Sequence, residues 1–383
     1  MVFSADPPND KPSTGASVDA AAPAKIATRM QQFVDDKQIA GAVTLVMRRG
    51  KIVHFEPVGW ADIAEKRPMT RDNLFAIASM TKPITATAML ILQDEGKLSV
   101  SDPVSKYIPQ FKDAKLADRP LPREITIRDL MTHTSGVGPP AVKDAFAEPS
   151  LRATAEQIAA APLQFEPGSK WKYGGGMTVC GAIIQAVSGK SYDKFLTERI
   201  FRPLRMNDTT FFLDADALDR LATMYHRTTG GELEANERPG VPVVSGHHGM
   251  PNPSGGLYST AADMARFYQM ILDGGQFEGK QIVSRAAVEQ MTHVQTGDLV
   301  TGFTPGNGWG LGWCIVRQPQ GITKMLSPGT FGHGGAYGTQ GWIDPKRQMI
   351  FVLMVQRSDF PNSDASEVRQ AFQQLAVDAM GGG

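Results

Sequence analysis

The sequence predicts an α+β fold in which strands from both ends of the chain form one antiparallel sheet flanked by helices, with a mostly helical region inserted between them. Near the N-terminus, two apolar runs flank the turn-forming stretch 48–51, which is typical of a hairpin. From about residue 300 to the C-terminus, apolar runs alternate with glycine-rich turns. Between them, apolar residues recur mainly at helical spacing.

The chain divides into a leader and one domain. Residues 1–22 are rich in Pro, Ser, Ala and Asp without periodicity, which predicts a disordered leader. Residues 23–383 form the domain, with a sheet subdomain at about 23–78 and 300–383 and a helical subdomain at about 79–299.

Individual elements follow from the period of the apolar residues. Helices are expected at about 25–40, 81–94, 125–136, 177–187, 191–200, 259–274 and 364–379. Strands are expected at 42–47, 52–55, 311–316, 330–335, 338–344 and 348–355. Residues 137–160 are interpreted as loop and helix, and the Gly-, Pro- and His-rich stretch 226–256 as one long loop.

Composition excludes several classes of function. Lys plus Arg and Asp plus Glu both number 39, so no basic face for nucleic acid is expected, and no apolar run is long enough for a membrane span. Cys180 and Cys314 lie in apolar contexts and are expected to be buried free thiols, with a disulfide as the alternative. His247 and His248 lie in a loop without an acidic or histidine cluster nearby, so no metal site is expected there. We expect no other cofactor. We expect a bacterial-type soluble protein, cytoplasmic or exported if a signal peptide preceded the leader; the sequence does not indicate the oligomeric state.

A Ser-x-x-Lys pattern carries the chemistry. Three residues along a helix is nearly one turn, so Ser79 and Lys82 share a face, where the amine can act as the base that a serine nucleophile needs. The pattern also occurs at Ser169 and Ser191, in polar surroundings typical of capping serines. Only Ser79 lies between two apolar runs, where burial can lower the pKa of a lysine.

Two glycine-rich stretches each present one further side chain. Tyr173 precedes Gly174-Gly175-Gly176, and His333 lies within Gly332-His333-Gly334-Gly335 on a late strand. Taken singly, both are better explained as packed or hydrogen-bonded structural residues. Trp171 and Tyr337 flank the two stretches; they are candidates for lining an acyl pocket, and packing explains them equally well.

The order of these motifs resembles the serine β-lactamase and penicillin-binding superfamily, most of all class C β-lactamases, D-alanyl-D-alanine peptidases and family VIII carboxylesterases. The resemblance covers about residues 25–380. It rests on five landmarks in order, Ser79-Met-Thr-Lys82, Leu130-Met-Thr-His-Thr-Ser-Gly136, Pro167-Gly168 with Tyr173, Ser254-Gly-Gly-Leu-Tyr-Ser-Thr260 and His333-Gly-Gly335.

The resemblance implies a role for each motif. Ser79 would be the acylated nucleophile, and Lys82 and Tyr173 would share the proton transfers, either as a lysine-stabilised phenolate or through a neutral amine. The backbone N–H groups of Ser79 and Ala336 would form the oxyanion hole. Water would then hydrolyse the acyl-enzyme.

Two departures from the family pattern indicate which class of substrate the protein takes. Gly175 stands where β-lactamases and peptidases have the Asn of Tyr-x-Asn, which binds the substrate's amide. His333, with Gly334 and Gly335, stands where β-lactamases have Lys-Thr-Gly, and a histidine of ordinary pKa, about 6.5, is mostly neutral at pH 7.

Both changes weaken recognition of anionic β-lactams or peptides. The sequence therefore predicts a carboxylesterase for small neutral esters with short acyl chains, close to family VIII. A β-lactamase, a D-alanyl-D-alanine peptidase, an acyltransferase and a non-catalytic penicillin- or peptidoglycan-binding module are the alternatives.

Overall fold

The computed structural model describes residues 22–139, 150–236 and 250–379. The expected leader therefore lies outside the described residues, apart from Ala22, which begins the first helix. The α-helices of the described residues are α1 Ala22–Asp35, α2 Thr81–Asp94, α3 Ile127–Met131, α4 Leu151–Ala160, α5 Gly176–Ser188, α6 Tyr192–Leu196, α7 Ala215–Arg220, α8 Ala261–Leu272, α9 Arg285–Thr292 and α10 Glu367–Ala379. The strands are β1 Gly41–Arg48, β2 Lys51–Asp62, β3 Arg67–Pro68, β4 Phe75–Ala76, β5 Tyr225–Arg227, β6 Leu233–Ala235, β7 Tyr258–Ser259, β8 Gln276–Phe277, β9 Lys280–Gln281, β10 Asn307–Trp309, β11 Cys314–Val316, β12 Phe331–Gly334, β13 Gln340–Asp344 and β14 Met349–Met354.

Eight strands form one antiparallel sheet in the order β10-β11-β12-β13-β14-β1-β2-β3. Strands from the two ends of the chain meet where β1 pairs with β14, from Val43 opposite Met354 to Arg48 opposite Met349. Arg49 and Gly50 join β1 to β2 with φ of 50° and 74°, the two positive values that a type I′ hairpin turn requires. The predicted α+β fold class is confirmed.

Both faces of the sheet are covered, because successive side chains of a strand point to opposite faces. In β14, Phe351 and Leu353 pack in the same cluster as α1 and α10, with Phe33 and Phe372. Ile350, Val352 and Met354 join the larger cluster on the other face, together with residues of α2, α5 and α8. A continuous apolar strand such as β14 is therefore buried on both sides.

The predicted helices and long strands are present, most of them to within a few residues at each end. The helix expected at 125–136 covers only Ile127–Met131, and the strand expected at 52–55 extends to Asp62. Several short elements were not predicted, namely α7, α9, β3, β4, β7, β8 and β9. The short edge strand β10 was not predicted, since Asn307-Gly308-Trp309 carries too few apolar residues to signal a strand. The stretch interpreted as a long loop contains β6, which pairs with β5 from Tyr225 opposite Ala235 to Arg227 opposite Leu233. The remainder of that stretch, 237–249, and residues 140–149 lie outside the described residues.

Cys180 and Cys314 are both buried and unpaired, as expected. Within the described ranges, no helix combines the length and the apolar character needed to cross a membrane.

Candidate active site

Ser79 lies in a single 3₁₀ turn, Ala78–Met80, that leads into α2. Ala78 holds the left-handed value φ 45°, which is unfavourable for a residue with a side chain by about 1–2 kcal/mol. The segment before β7 holds this turn, since Ile77 N–H donates to Leu257 O at 3.0 Å and Leu257 N–H donates to Thr81 Oγ1 at 3.3 Å. This unfavourable backbone conformation lies next to the proposed nucleophile.

Lys82 is buried directly behind Ser79 and is only 2% exposed. Its Nζ lies 3.1 Å from Ser79 Oγ and donates to the carbonyl oxygen of Ser254 at 2.6 Å. Burial lowers the pKa of Lys82 from 10.5 to about 7, so a large share of the amine is neutral at neutral pH. The lysines of the other two Ser-x-x-Lys patterns, Lys172 and Lys194, are exposed.

Tyr173 lies beside Lys82, on the segment without regular secondary structure that precedes α5. Lys82 Nζ is 4.6 Å from the centroid of the Tyr173 ring. Burial raises the pKa of the Tyr173 phenol, and its hydrogen bond with Ser79 offsets only part of that rise. A Cβ at Gly174 would lie 2.5 Å from Val137 O, so glycine at this position lets the segment pass close to the neighbouring backbone. Of the two proton routes that the resemblance leaves open, these values favour the neutral amine.

His333 lies on β12, 2% exposed, with its ring toward Tyr173. Its Nδ1 donates to Gly334 O at 2.6 Å, which leaves Nε2 as an acceptor 3.4 Å from the Tyr173 hydroxyl. Burial, and then the charge of Lys82, lower the pKa of His333 from 6.5 to about 3. The imidazole is therefore neutral well below the pH at which an ordinary histidine would become charged.

The end of β12 lies against the turn that carries Ser79. A Cβ at Gly335 would lie 2.5 Å from Ile77 O and 2.0 Å from Thr339 Oγ1, so only glycine allows this approach. Thr339 Oγ1 donates to Ile77 O at 3.2 Å and closes the contact. Ala336, the next residue along, is exposed beside this junction. The structure thus brings together the two backbone segments of the proposed oxyanion hole.

The remaining predicted substrate-binding residues are described in turn by their position relative to Tyr173 and β12. Trp171 is half-buried, with its ring centroid 6.2 Å from that of Tyr173, and Gly175 precedes α5 and carries no side chain toward the substrate. Gly334 is packed against Asp364, whose Oδ1 would lie 1.8 Å from an added Cβ. Tyr337 is half-buried in the turn after β12, on the far side of Ala336.

An aromatic cluster around Tyr173 was not predicted. The His133 ring lies 4.3 Å from the Tyr173 ring at 32°, and Trp309 and Phe303 meet Tyr173 edge-on at 6.1 and 5.1 Å. Burial, followed by the charges of Lys82 and His333, lowers the pKa of His133 well below 6.5. His133 belongs to a motif that the sequence does mark, but Phe303 and Trp309 lie in a stretch without any sequence signal.

The sequence marks Ser254 only as the first residue of the Ser254–Thr260 motif and gives it no role of its own. Its backbone carbonyl accepts from Lys82 Nζ, and its Oγ lies 2.9 Å from Thr178 Oγ1 on α5. One N–H of the neutral amine is engaged by this carbonyl, which leaves the nitrogen lone pair free to accept the Ser79 proton. A backbone contact of this kind cannot be inferred from a residue type.

The arrangement supports nucleophilic acyl transfer. A serine hydroxyl, an adjacent amine of lowered pKa, a phenol within hydrogen-bond reach and adjoining backbone segments that can supply an oxyanion hole are the components that such a reaction needs. Among the residues that the structure describes, no group of three or more His, Cys, Asp or Glu side chains is placed to hold a metal ion. The fold and site together define a serine hydrolase.

Comparison with known proteins gives the family. The Beta-lactamase family model matches residues 26–376. The chain is 33% identical to Protein Rv1367c of Mycobacterium tuberculosis over 88% of this chain and 90% of that protein. It is 30% identical to Esterase EstB of Burkholderia gladioli over 89% of this chain and 92% of EstB.

Among solved structures, the chain is similar to EstCE1, a hydrolase with promiscuous acyltransferase activity. The TM-score is 0.82 at 26% identity, over 95% of this chain and 100% of that one. The chain belongs to the Beta-lactamase family and is an enzyme of the β-lactamase-like hydrolase superfamily.

Proposed function

We propose that the protein is a serine carboxylesterase that hydrolyses small, uncharged esters with short acyl chains through an acyl-enzyme on Ser79. The observation that carries the proposal is the buried Lys82 amine, 3.1 Å from Ser79 Oγ and with a pKa of about 7. Gly175 supplies no amide, and His333 supplies no positive charge at neutral pH. An ester needs neither group, whereas recognition of an anionic β-lactam or of a peptide benefits from both.

Acylation begins with transfer of the Ser79 proton to the neutral Lys82 amine. Ser79 Oγ attacks the ester carbonyl carbon, and the negative charge that develops on the carbonyl oxygen is stabilised by the N–H groups of Ser79 and Ala336. Tyr173 then gives its hydroxyl proton to the leaving alcohol oxygen, and the proton held on Lys82 replaces it. Lys82 itself is too deeply buried to reach the alcohol.

Deacylation repeats these steps with water in place of the alcohol. Water attacks the acyl carbonyl carbon, its proton moves to the Tyr173–Lys82 pair, and Ser79 Oγ leaves and is reprotonated. General-base catalysis of this kind contributes about 10²–10⁴ in rate. The fixed backbone donors add a comparable factor.

The first experiment compares turnover of p-nitrophenyl butyrate and nitrocefin by the wild type, with Ser79→Ala as the matched control. We expect rapid ester turnover, negligible nitrocefin turnover and loss of both in the variant. Retention of ester turnover by Ser79→Ala would refute the assignment of the nucleophile. Nitrocefin turnover at a comparable or higher rate would place the β-lactamase function first.

The binding-module alternative predicts a serine that does not react. Intact-mass measurement after treatment with a fluorophosphonate separates the two, since a live Ser79 gains one adduct and Ser79→Ala gains none. Absence of both the adduct and ester turnover in the wild type would favour a non-catalytic module. Release of D-alanine from a D-alanyl-D-alanine peptide would favour the peptidase.

Acyl transfer is a second candidate, supported by the similarity to EstCE1 and by its described acyltransferase activity. An alcohol that occupies the position of water would take the acyl group from Ser79 by the same steps. Formation of a new ester when an acceptor alcohol is added to the p-nitrophenyl butyrate reaction tests it, with Ser79→Ala as the control.

A further inference from the structure

The protein carries an apolar surface on one side of Tyr173. Phe303 meets the Tyr173 ring edge-on at 5.1 Å and 66°, and it meets the Trp171 ring at 5.9 Å and 77°. Phe303 is 45% exposed, although large apolar side chains are usually buried. Phe303 therefore keeps nearly half of its surface open to a ligand while it contacts both rings.

This surface is preformed. Phe303 O accepts a hydrogen bond from Asn362 Nδ2 at 2.9 Å, which ties the loop to the segment before α10. On the same loop, Asn307 Nδ2 donates to Thr304 Oγ1 at 2.6 Å and Thr301 Oγ1 donates to Asn307 O at 3.1 Å. An apolar surface held in place in the free protein binds a ligand at a lower entropic cost than one that must first be ordered.

Tyr173 determines which part of an ester meets this surface. The group that returns the serine proton to the leaving oxygen lies beside that oxygen, as in other serine hydrolases. Lys82 is 2% exposed, so Tyr173 is the proton carrier that the substrate can touch. The alcohol part of the ester is therefore adjacent to Tyr173, and Phe303 and Trp171 extend outward from it.

Neither histidine beside Tyr173 offers a charge to a charged alcohol group. The two imidazoles nearest Tyr173, on His133 and His333, are both held neutral at neutral pH. The faces of aromatic rings favour other rings, with ring pairs contributing about 0.5–1.5 kcal/mol beyond their buried area.

We propose that Phe303, with Trp171, forms a binding surface for the alcohol part of the substrate and gives the enzyme a preference for esters of ring-bearing, uncharged alcohols. The inference rests on the proposed esterase function and adds the substrate class on the alcohol side. In the step concerned, the bond between the acyl carbon and the alcohol oxygen breaks, the acyl group is retained on Ser79 and the alcohol leaves with the proton from Tyr173.

The test uses esters that share the butyryl group and differ only in the alcohol, so that all of them form the same acyl-enzyme. Ethyl, cyclohexylmethyl and benzyl butyrate release alcohols of similar acidity, which keeps the leaving-group chemistry constant. The variant is Phe303→Ala, which opens no buried cavity because the side chain is already partly exposed. Val300→Ala is the matched control on the same loop, since Val300 is 94% exposed.

For the wild type we expect kcat/KM to be highest for benzyl butyrate. Phe303→Ala is expected to lower kcat/KM for benzyl butyrate about five-fold, mainly through KM, and to change ethyl butyrate by less than about two-fold. Val300→Ala is expected to change neither. Across ethyl esters of increasing acyl length, kcat/KM should follow the same trend in the wild type and in Phe303→Ala.

Several results would overturn the proposal. An equal loss for ethyl and benzyl butyrate would make Phe303 a general structural residue, and a loss that follows acyl length would place it on the acyl side. If the wild type hydrolysed none of these esters, the proposed function would fail and this inference with it. Ester turnover without any preference for a ring would overturn this inference alone.

Discussion

Replacing Lys82 with methionine should change how the stability of the protein depends on pH. Burial lowers the pKa of Lys82 from 10.5 to about 7 in the folded state, whereas the unfolded chain keeps the ordinary value. Between these two values the unfolded state binds more protons than the folded state. The free energy of unfolding of the wild type therefore rises with pH over this window.

The magnitude follows from the two pKa values. At pH 7 the requirement to release a proton on folding destabilises the wild type by about 4 kcal/mol, and by about pH 9 this falls to about 2 kcal/mol. Methionine has a similar length and no titrating group. The free energy of unfolding of the wild type should therefore gain about 2 kcal/mol relative to Lys82→Met between about pH 7 and about pH 9.

The assay is urea unfolding followed by tryptophan fluorescence at both pH values. Comparing the change with pH, rather than stability at a single pH, cancels the hydrogen bonds to Ser79 and Ser254 that the variant also loses. Lys172→Met is the control, because Lys172 is exposed and its removal should leave the pH dependence as in the wild type. Parallel curves for the wild type and Lys82→Met would refute a neutral buried amine and the base role derived from it.

Three further predictions follow from the site. The kcat/KM for a neutral ester should rise about ten-fold per pH unit below an apparent pKa near 7 and then level off, because only the neutral Lys82 amine accepts a proton. A pH profile that instead levels off above an apparent pKa of about 4 would contradict this. The ratio of activity on anionic esters to activity on neutral esters should stay flat between about pH 5 and 8, because His333 has a pKa of about 3 and stays neutral over this range. A rise of this ratio below about pH 6.5 would show that His333 becomes charged near the ordinary histidine pKa. Gly335→Ala should lower both the free energy of unfolding, by about 1–3 kcal/mol, and ester turnover, because the new Cβ would lie 2.0 Å from Thr339 Oγ1. Gly230→Ala, where the nearest atom is 3.7 Å away, should leave both unchanged, and equal effects of the two substitutions in urea unfolding and ester assays would argue against a specific contact at β12.

Local sequence signals predicted the long elements well. The period of the apolar residues located α2, α5, α8 and the strands β1, β12, β13 and β14, because each of these elements buries a regular set of side chains. It missed β10, an edge strand of three residues with one large apolar side chain. Short elements depend on pairing with a neighbouring strand, and that pairing is a tertiary contact.

The order of the chemical groups, from the Ser-x-x-Lys pattern through Tyr173 to His333, can be read from the chain alone, since each group lies in a recognisable local motif. The chemical properties of those groups depend on how the chain packs. The carbonyl of Ser254 meets an amine 172 positions earlier in the chain, and burial there sets the pKa of Lys82. The burial of His333 and the placement of Phe303 beside Tyr173 likewise depend on residues far apart in sequence. Desolvation and ring contacts are properties of the packed chain, so no motif could have given them.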